Sequence, residues 1–162
     1  MDAGWLALSL GMAGLGSPTG SAGAAGTVWA SAHVGGPAWV ELGVHQGGIA
    51  GPSRVFTGIH ADARVLLTEH AFLRGGFVHQ HETDFEDWKS DVVLVTLGAS
   101  KSINHRTGGE LGLGWRWAMP KAEAVHLSLS GTALAFPDQG GPQLYGVVET
   151  LVTVSLGRSK ES

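Results

Sequence analysis

The sequence predicts an all-β fold, an antiparallel up-and-down barrel. Three observations predict it: an apolar period of two that recurs along almost the whole chain, alternating runs too long for ordinary strands, and few charges. "RVFTGIHADARVLL", residues 54–67, shows the first two at once. Val55, Thr57, Ile59, Ala61, Ala63, Val65 and Leu67 share one face of an extended chain, and Arg54, Phe56, Gly58, His60, Asp62, Arg64 and Leu66 share the other. Such a run is about 46 Å long at ~3.3 Å per residue, and a tilt of ~45° leaves about 33 Å of height, close to the ~30 Å hydrocarbon layer of a bilayer. Charged residues make up 15% of the 162, against about 25% in typical soluble domains. Long strands with a face free of ionic groups predict that the barrel crosses a membrane.

The elements follow in order. In "MDAGWLALSLGMAGLG", Leu6, Leu8, Leu10 and Met12 alternate with Ala7, Ser9 and Gly11, which makes 4–14 the first strand. A Gly/Ser/Ala loop over 15–26 leads to "TVWASAHV", and "GGPA" turns the chain into "WVELGVHQ". Residues 47–53 connect to 54–67, "TEH" is a tight turn, and "FLRGGFVHQHE" follows. After the acidic, aromatic loop "TDFEDWKSD" come "VVLVTLGASK", the short turn "NHRTG" and "GELGLGWRW". "AEAVHLSLSGTALAF", the loop "PDQGGPQ" and "YGVVETLVTVSLG" complete the chain. No composition break divides it, so 1–162 reads as one barrel domain.

This gives nine candidate strands, whereas single-chain membrane barrels of bacteria have an even number. The preferred reading is eight strands, with 143–157 as the last span and most of 118–142 as a final outer loop. The alternative is a ten-stranded barrel in which "AEAVHLSLSGTALAF" is a true strand. Loops 15–26, 47–53 and 82–91 alternate with tight turns at 35–37, 68–70 and 103–108, so the long loops gather at one end.

Residue identity orients the faces. The polar faces mix ionic groups with very small residues, as in Glu110, Gly112, Gly114 and Arg116, which suits a crowded interior better than a wetted surface. The expected inward ionic set is Glu41, Asp62, Arg64, Arg74, Glu110, Arg116 and Glu149, a balanced network that fills the lumen. A gated pore or proton path is the functional alternative for the same residues. Trp5, Trp39, Phe72, Trp115 and Trp117 lie near strand ends, where interfacial girdles place aromatics. The opposite orientation would be a soluble, lipocalin-like carrier of an apolar ligand.

Composition excludes several classes. There is no cysteine, hence no disulfide and no thiolate metal site. A net charge of −4 gives no electrostatic reason to expect nucleic acid. Asp2 stands where a signal peptide would carry basic residues, so the chain reads as a mature form without its signal peptide.

Across nearly its whole length the pattern resembles the small bacterial outer-membrane barrels of the OmpA/OmpX type. The resemblance implies a Gram-negative cell-envelope protein, a monomer with a side-chain-filled lumen rather than a wide porin-like pore. It implies a structural, protective or adhesive role, with outer-membrane lipid or lipopolysaccharide around the wall and an extracellular partner at the loops. No cofactor is expected. The chain departs from that family in ending "LVTVSLGRSKES" rather than on an aromatic residue.

Three stretches carry possible chemistry. "HQHE" puts His79 and His81 on one face, close enough to share a metal, although two ligands without a third are a weak signal. "AVHLSLSG" resembles the His-x-Ser-Asn stretch of outer-membrane lipid A deacylases. His126 and Ser128 match it, Leu129 replaces the asparagine, and Glu149 is the nearest downstream acid. Phe85 and Trp88 in the acidic loop would suit either a recognition surface or the interfacial girdle.

Overall fold

In a computed structural model that describes residues 5–50, 53–90, 92–93, 98–99, 102–137 and 144–156, eight antiparallel strands follow one another around a closed ring. They are β1 (Leu6–Gly16), β2 (Ala22–Gly35), β3 (Ala38–Ala50), β4 (Arg54–Leu66), β5 (Ala71–Asp84), β6 (Asn104–Met119), β7 (Ala122–Ala135) and β8 (Leu144–Leu156). A short helix, α1 (Phe85–Ser90), follows β5. The seam between β1 and β8 is paired without interruption from Leu6↔Leu156 to Gly16↔Gly146. Closure leaves no sheet edge, so the backbone is paired all the way round, as a lipid environment demands.

The alternation turns outward as the sequence predicts. Leu10, Met12, Leu42, Ile59, Leu111, Leu113 and Val148 are exposed on the outer wall, whereas Glu41, His60, Arg74 and Glu149 are buried inside. An apolar exterior around a charged interior is the reverse of a lipocalin-like carrier, and that alternative falls. The architecture is an eight-stranded transmembrane barrel.

The route to eight differs from the expected one. Residues 122–135, which make up most of the stretch expected to be the final outer loop, form β7, a full strand paired with β6 and β8. The surplus candidate is "VVLVTLGASK". Within it Val92 and Val93 are helical, Gly98 is in a turn, and 94–97 and 100–101 lie outside the described residues. Its apolar run is continuous rather than alternating, and periodicity alone does not separate such a run in a strand from one in a helix.

"NHRTG" is also not a turn. Asn104–Gly108 opens β6, and the tight reversal comes later at Pro120–Lys121, where Lys121 takes a φ of 68°. The expected loops 15–26 and 47–53 shrink because "AGAAG" and "GGIA" pair with each other, from Ala22↔Ala50 to Ala25↔Gly47. Small residues carry no alternation to read, but they let the backbones approach. A Cβ on Gly47 would strike the Ala24 carbonyl oxygen. At "TEH" the Thr68 hydroxyl accepts the backbone N–H groups of His70 (3.2 Å) and Ala71 (2.9 Å), which closes the hairpin.

Aromatic girdling is only partial. Trp5, Trp115 and Trp117 are exposed at the tight-turn end, but Trp39 and Phe72 are buried in the lumen. Inside, large rings lie over glycines on the paired strand. Trp29 covers its register partner Gly43, and Phe72 covers Gly114. A side chain at either glycine would occupy the ring's place.

Candidate functional site in the barrel lumen

The lumen is filled in layers. Near the tight turns Arg64 lies over the rings of Trp39 (5.4 Å) and Phe72 (5.6 Å) and reaches Glu41 at 3.3 Å. Ser31 donates to the same carboxylate at 2.8 Å. In the middle, Glu149 is the hub. Its Oε1 accepts Trp29 Nε1–H at 2.8 Å and stands 3.1 Å from His45 Nε2, while its Oε2 accepts from Arg74 at 2.9 Å. Arg74 also lies 4.3 Å above the Trp29 ring and 3.5 Å from Asp62. His60 Nδ1 is 2.6 Å from Glu110, and the His45 and His60 rings are 4.1 Å apart.

Register explains this assembly. Glu41, Asp62 and Gly76 lie at one level on β3, β4 and β5, so the glycine leaves room above it for the neighbouring acids. Arg64 and Arg74 are direct cross-strand partners and would repel each other without carboxylates on either side. Glu41 serves one, and Glu149, from across the barrel, serves the other.

Towards the long loops the lumen becomes apolar. Ala13, Leu15, Ala25, Ile49, Phe56, Val78, Leu134, Phe136, Tyr145 and Val147 form one buried cluster, with Val78 and Phe136 at 0% exposure. Arg106 crosses this level, 4.5 Å over Phe136 and 3.4 Å from Glu82, and Glu82 is paired in turn with Arg54 at 3.1 Å.

Six of the seven sequence-predicted ionic residues therefore sit in the buried lumen. Arg116 does not join them: it is half-buried at the tight-turn end and donates to the Glu69 carbonyl at 3.0 Å. Sequence reasoning left out Trp29 and His45. Both were visible by parity, two residues from Ser31 and four from Glu41 on strands already assigned. Arg106 and Glu82 were missed because their segments read as a turn and a loop edge.

The deacylase-like residues are not brought together. His126 and Ser128 face inward on β7, as alternation requires, but among the described residues no hydrogen bond joins them. Glu149 lies opposite Ser130, and its two oxygens are held by Trp29, His45 and Arg74. His79 and His81 do share the outer face of β5, and β6 adds His105. One nitrogen from each of the three rings lies within 4.8 Å of the others. On α1, Phe85 and Trp88 stack with ring centroids 5.7 Å apart.

A closed, plugged, eight-stranded ring with apolar walls defines the architecture of the small outer-membrane barrels. Among the solved structures that resemble it in fold are these three. The chain is similar to Neisserial surface protein A (NspA), with a TM-score of 0.68 and 15% identity over 93% of this chain and 96% of that one. It is similar to the N-terminal β-barrel domain of Pseudomonas aeruginosa OprF, with a TM-score of 0.58 and 13% identity over 91% and 96% of the two chains. For the P. aeruginosa outer membrane protein OprG the TM-score is 0.57, with 12% identity over 94% of each. No protein-family model matches the chain, and no curated protein matches it in sequence.

Proposed function

We propose that the protein is a monomeric integral barrel of the bacterial outer membrane. On this reading it acts through its wall and its loop face, in a structural, protective or adhesive role, and conducts no solute through its lumen. The observation that carries this reading is the filling of the lumen. Ionic groups in the middle are paired side chain to side chain, and above them an apolar cluster fills the bore with Val78 and Phe136 fully buried. A conducting barrel keeps its polar lining wet, whereas here the lining is spent on internal pairs.

The charge balance supports the same reading. The mid-lumen carboxylates Glu41, Asp62, Glu110 and Glu149 are set against the guanidinium groups Arg64 and Arg74, and His45 and His60 lie against Glu149 and Glu110. Such a set stabilises one closed arrangement and offers no free charge to a passing ion. Outside, lipid or lipopolysaccharide would cover the apolar band, and the loop end, with the stacked Phe85 and Trp88, is the surface left for an external partner.

The test is refolding from denaturant with and without detergent micelles, followed by planar-bilayer recording. Folding that requires detergent, with a different unboiled mobility on SDS gels and no steps of conductance, is the expected result. Folding in plain buffer would overturn the membrane assignment, and steady conductance would overturn the closed lumen.

A further inference from the structure

We propose that His79, His81 and His105 form a binding site for a divalent cation of the zinc class. The site lies on the outer wall of the barrel, at the foot of the long connection between β5 and β6. The triangle follows from register. His79 and His81 are two apart on β5 and so project from the same face, and β6 sets His105 directly opposite His81 and Thr107 directly opposite His79. Two cross-strand partners and a third group one step along the strand place three imidazoles on one side of a metal, the facial arrangement that three-histidine zinc sites use.

The distances are close to those of a loaded site. His105 Nδ1 is 3.4 Å from His79 Nε2, and all three rings contribute a nitrogen within 4.8 Å. Nitrogens sharing a tetrahedral zinc ion at ~2.05 Å stand about 3.3 Å apart, so one edge of the triangle is already at ligating separation and the others close by side-chain rotation. Thr107 Oγ1 lies 3.0 Å from His79 Nδ1. When that hydroxyl accepts the Nδ1 proton, Nε2 turns its lone pair to the centre, the orienting role that outer hydrogen-bond partners play for metal-bound histidines.

Position also favours a site. On β5 and β6 the outward apolar residues end at Phe77 and Leu111, and the polar positions His79, Thr107, His81 and His105 follow towards the loops. The ligands therefore stand above the apolar band, where hydrated ions reach them. His81 is nonetheless 7% exposed on an outward-facing position. Gly98 lies against its ring so closely that a Cβ there would overlap the imidazole, and φ at Gly98 is +76°. A cation bound here would join β5 to β6. Only soft or borderline cations that favour imidazole fit; magnesium and calcium prefer oxygen donors, and no carboxylate belongs to the triad.

The test uses the untagged full chain, refolded in detergent micelles in metal-free buffer and titrated with zinc chloride by calorimetry. Cobalt(II), with its visible ligand-field absorption, serves as the spectroscopic probe. One equivalent of zinc is expected to bind, and H81N and H105N should each weaken it at least ~100-fold, with T107V weakening it about tenfold. H33A and H70A, at the tight-turn end, should leave affinity unchanged. Unboiled mobility on SDS gels checks that each variant folds. Independently of any variant, zinc should protect His79, His81 and His105 of the native chain from carbethoxylation, mapped by mass spectrometry, and leave the other five of the eight histidines as reactive as before. Wild-type affinity no greater than that of the H81N/H105N double variant, or protection shared evenly among all histidines, overturns the proposal.

Discussion

The middle of the lumen and its loop end are equally buried and are held in different ways. In the middle, Glu149 binds Trp29, His45 and Arg74 through one carboxylate. At the loop end, Phe136, Val78, Tyr145 and their neighbours exclude water by area and shape. The first kind of packing fails as a unit, because removing one charge strands the others. The second fails locally, because removing one ring leaves a hole that neighbours partly fill. A barrel that must stay closed benefits from both: pairing specifies which strands meet, and the apolar cluster seals the bore.

The largest expected effect follows from this difference. Glu149→Ala leaves Arg74 buried with Asp62 at 3.5 Å as its one remaining carboxylate, beside the Thr132 hydroxyl at 3.4 Å, and deprives Trp29 and His45 of their acceptor. It should lower the free energy of unfolding in lipid vesicles by about 3–5 kcal/mol, read from the shift in the urea midpoint. A loss below ~1 kcal/mol would mean that the middle is held by packing, as the loop end is. Phe136→Ala tests the other region. It removes a fully buried ring and the face under Arg106, and a loss of about 3 kcal/mol is expected. If pairing and packing are independent, the two substitutions should add within ~0.5 kcal/mol in the double variant.

The wall sharpens the contrast between inside and outside. Glu41 and Leu42 are neighbours in sequence, 4% and 66% exposed. Leu42→Arg should cost about 2–3 kcal/mol in vesicles, because the guanidinium would stand against acyl chains, and close to nothing in a barrel whose exterior is wet. The same urea titration measures it.

These neighbours also show what was legible from sequence. Period and length were enough for the barrel, its inner and outer faces and most of its ionic filling, since parity assigns every residue of a strand once one is placed. Strand number was not secured by pattern. The run 92–101 reads as a strand by composition, yet Val92 and Val93 are helical, and the eight members of the ring are fixed by pairing. Pairing of distant segments was equally hidden. His105 lies 24 positions beyond His81 in a stretch read as a turn, and only the β5–β6 register brings them opposite each other. The Ala/Gly pairing of β2 with β3 left no alternation to follow, because its specificity comes from close backbone approach rather than from side chains.

The smallest effect separates two arginines that the sequence alone placed in one set. Arg74 is 3% exposed and engages two carboxylates and a tryptophan face, whereas Arg116 is half-buried and donates to a single backbone carbonyl at the tight-turn end. Arg116→Ala should therefore cost about 0.5–1 kcal/mol, the net worth of one hydrogen bond near water. Arg74→Ala, measured beside it, should cost several times more, because Glu149 and Asp62 would lose their shared cation in a buried site. Equal losses for the two would mean that the ionic layer extends past Arg64 to Arg116. The barrel would then have one charged column from turn to mid-height, in place of a buried hub with an isolated arginine beneath it.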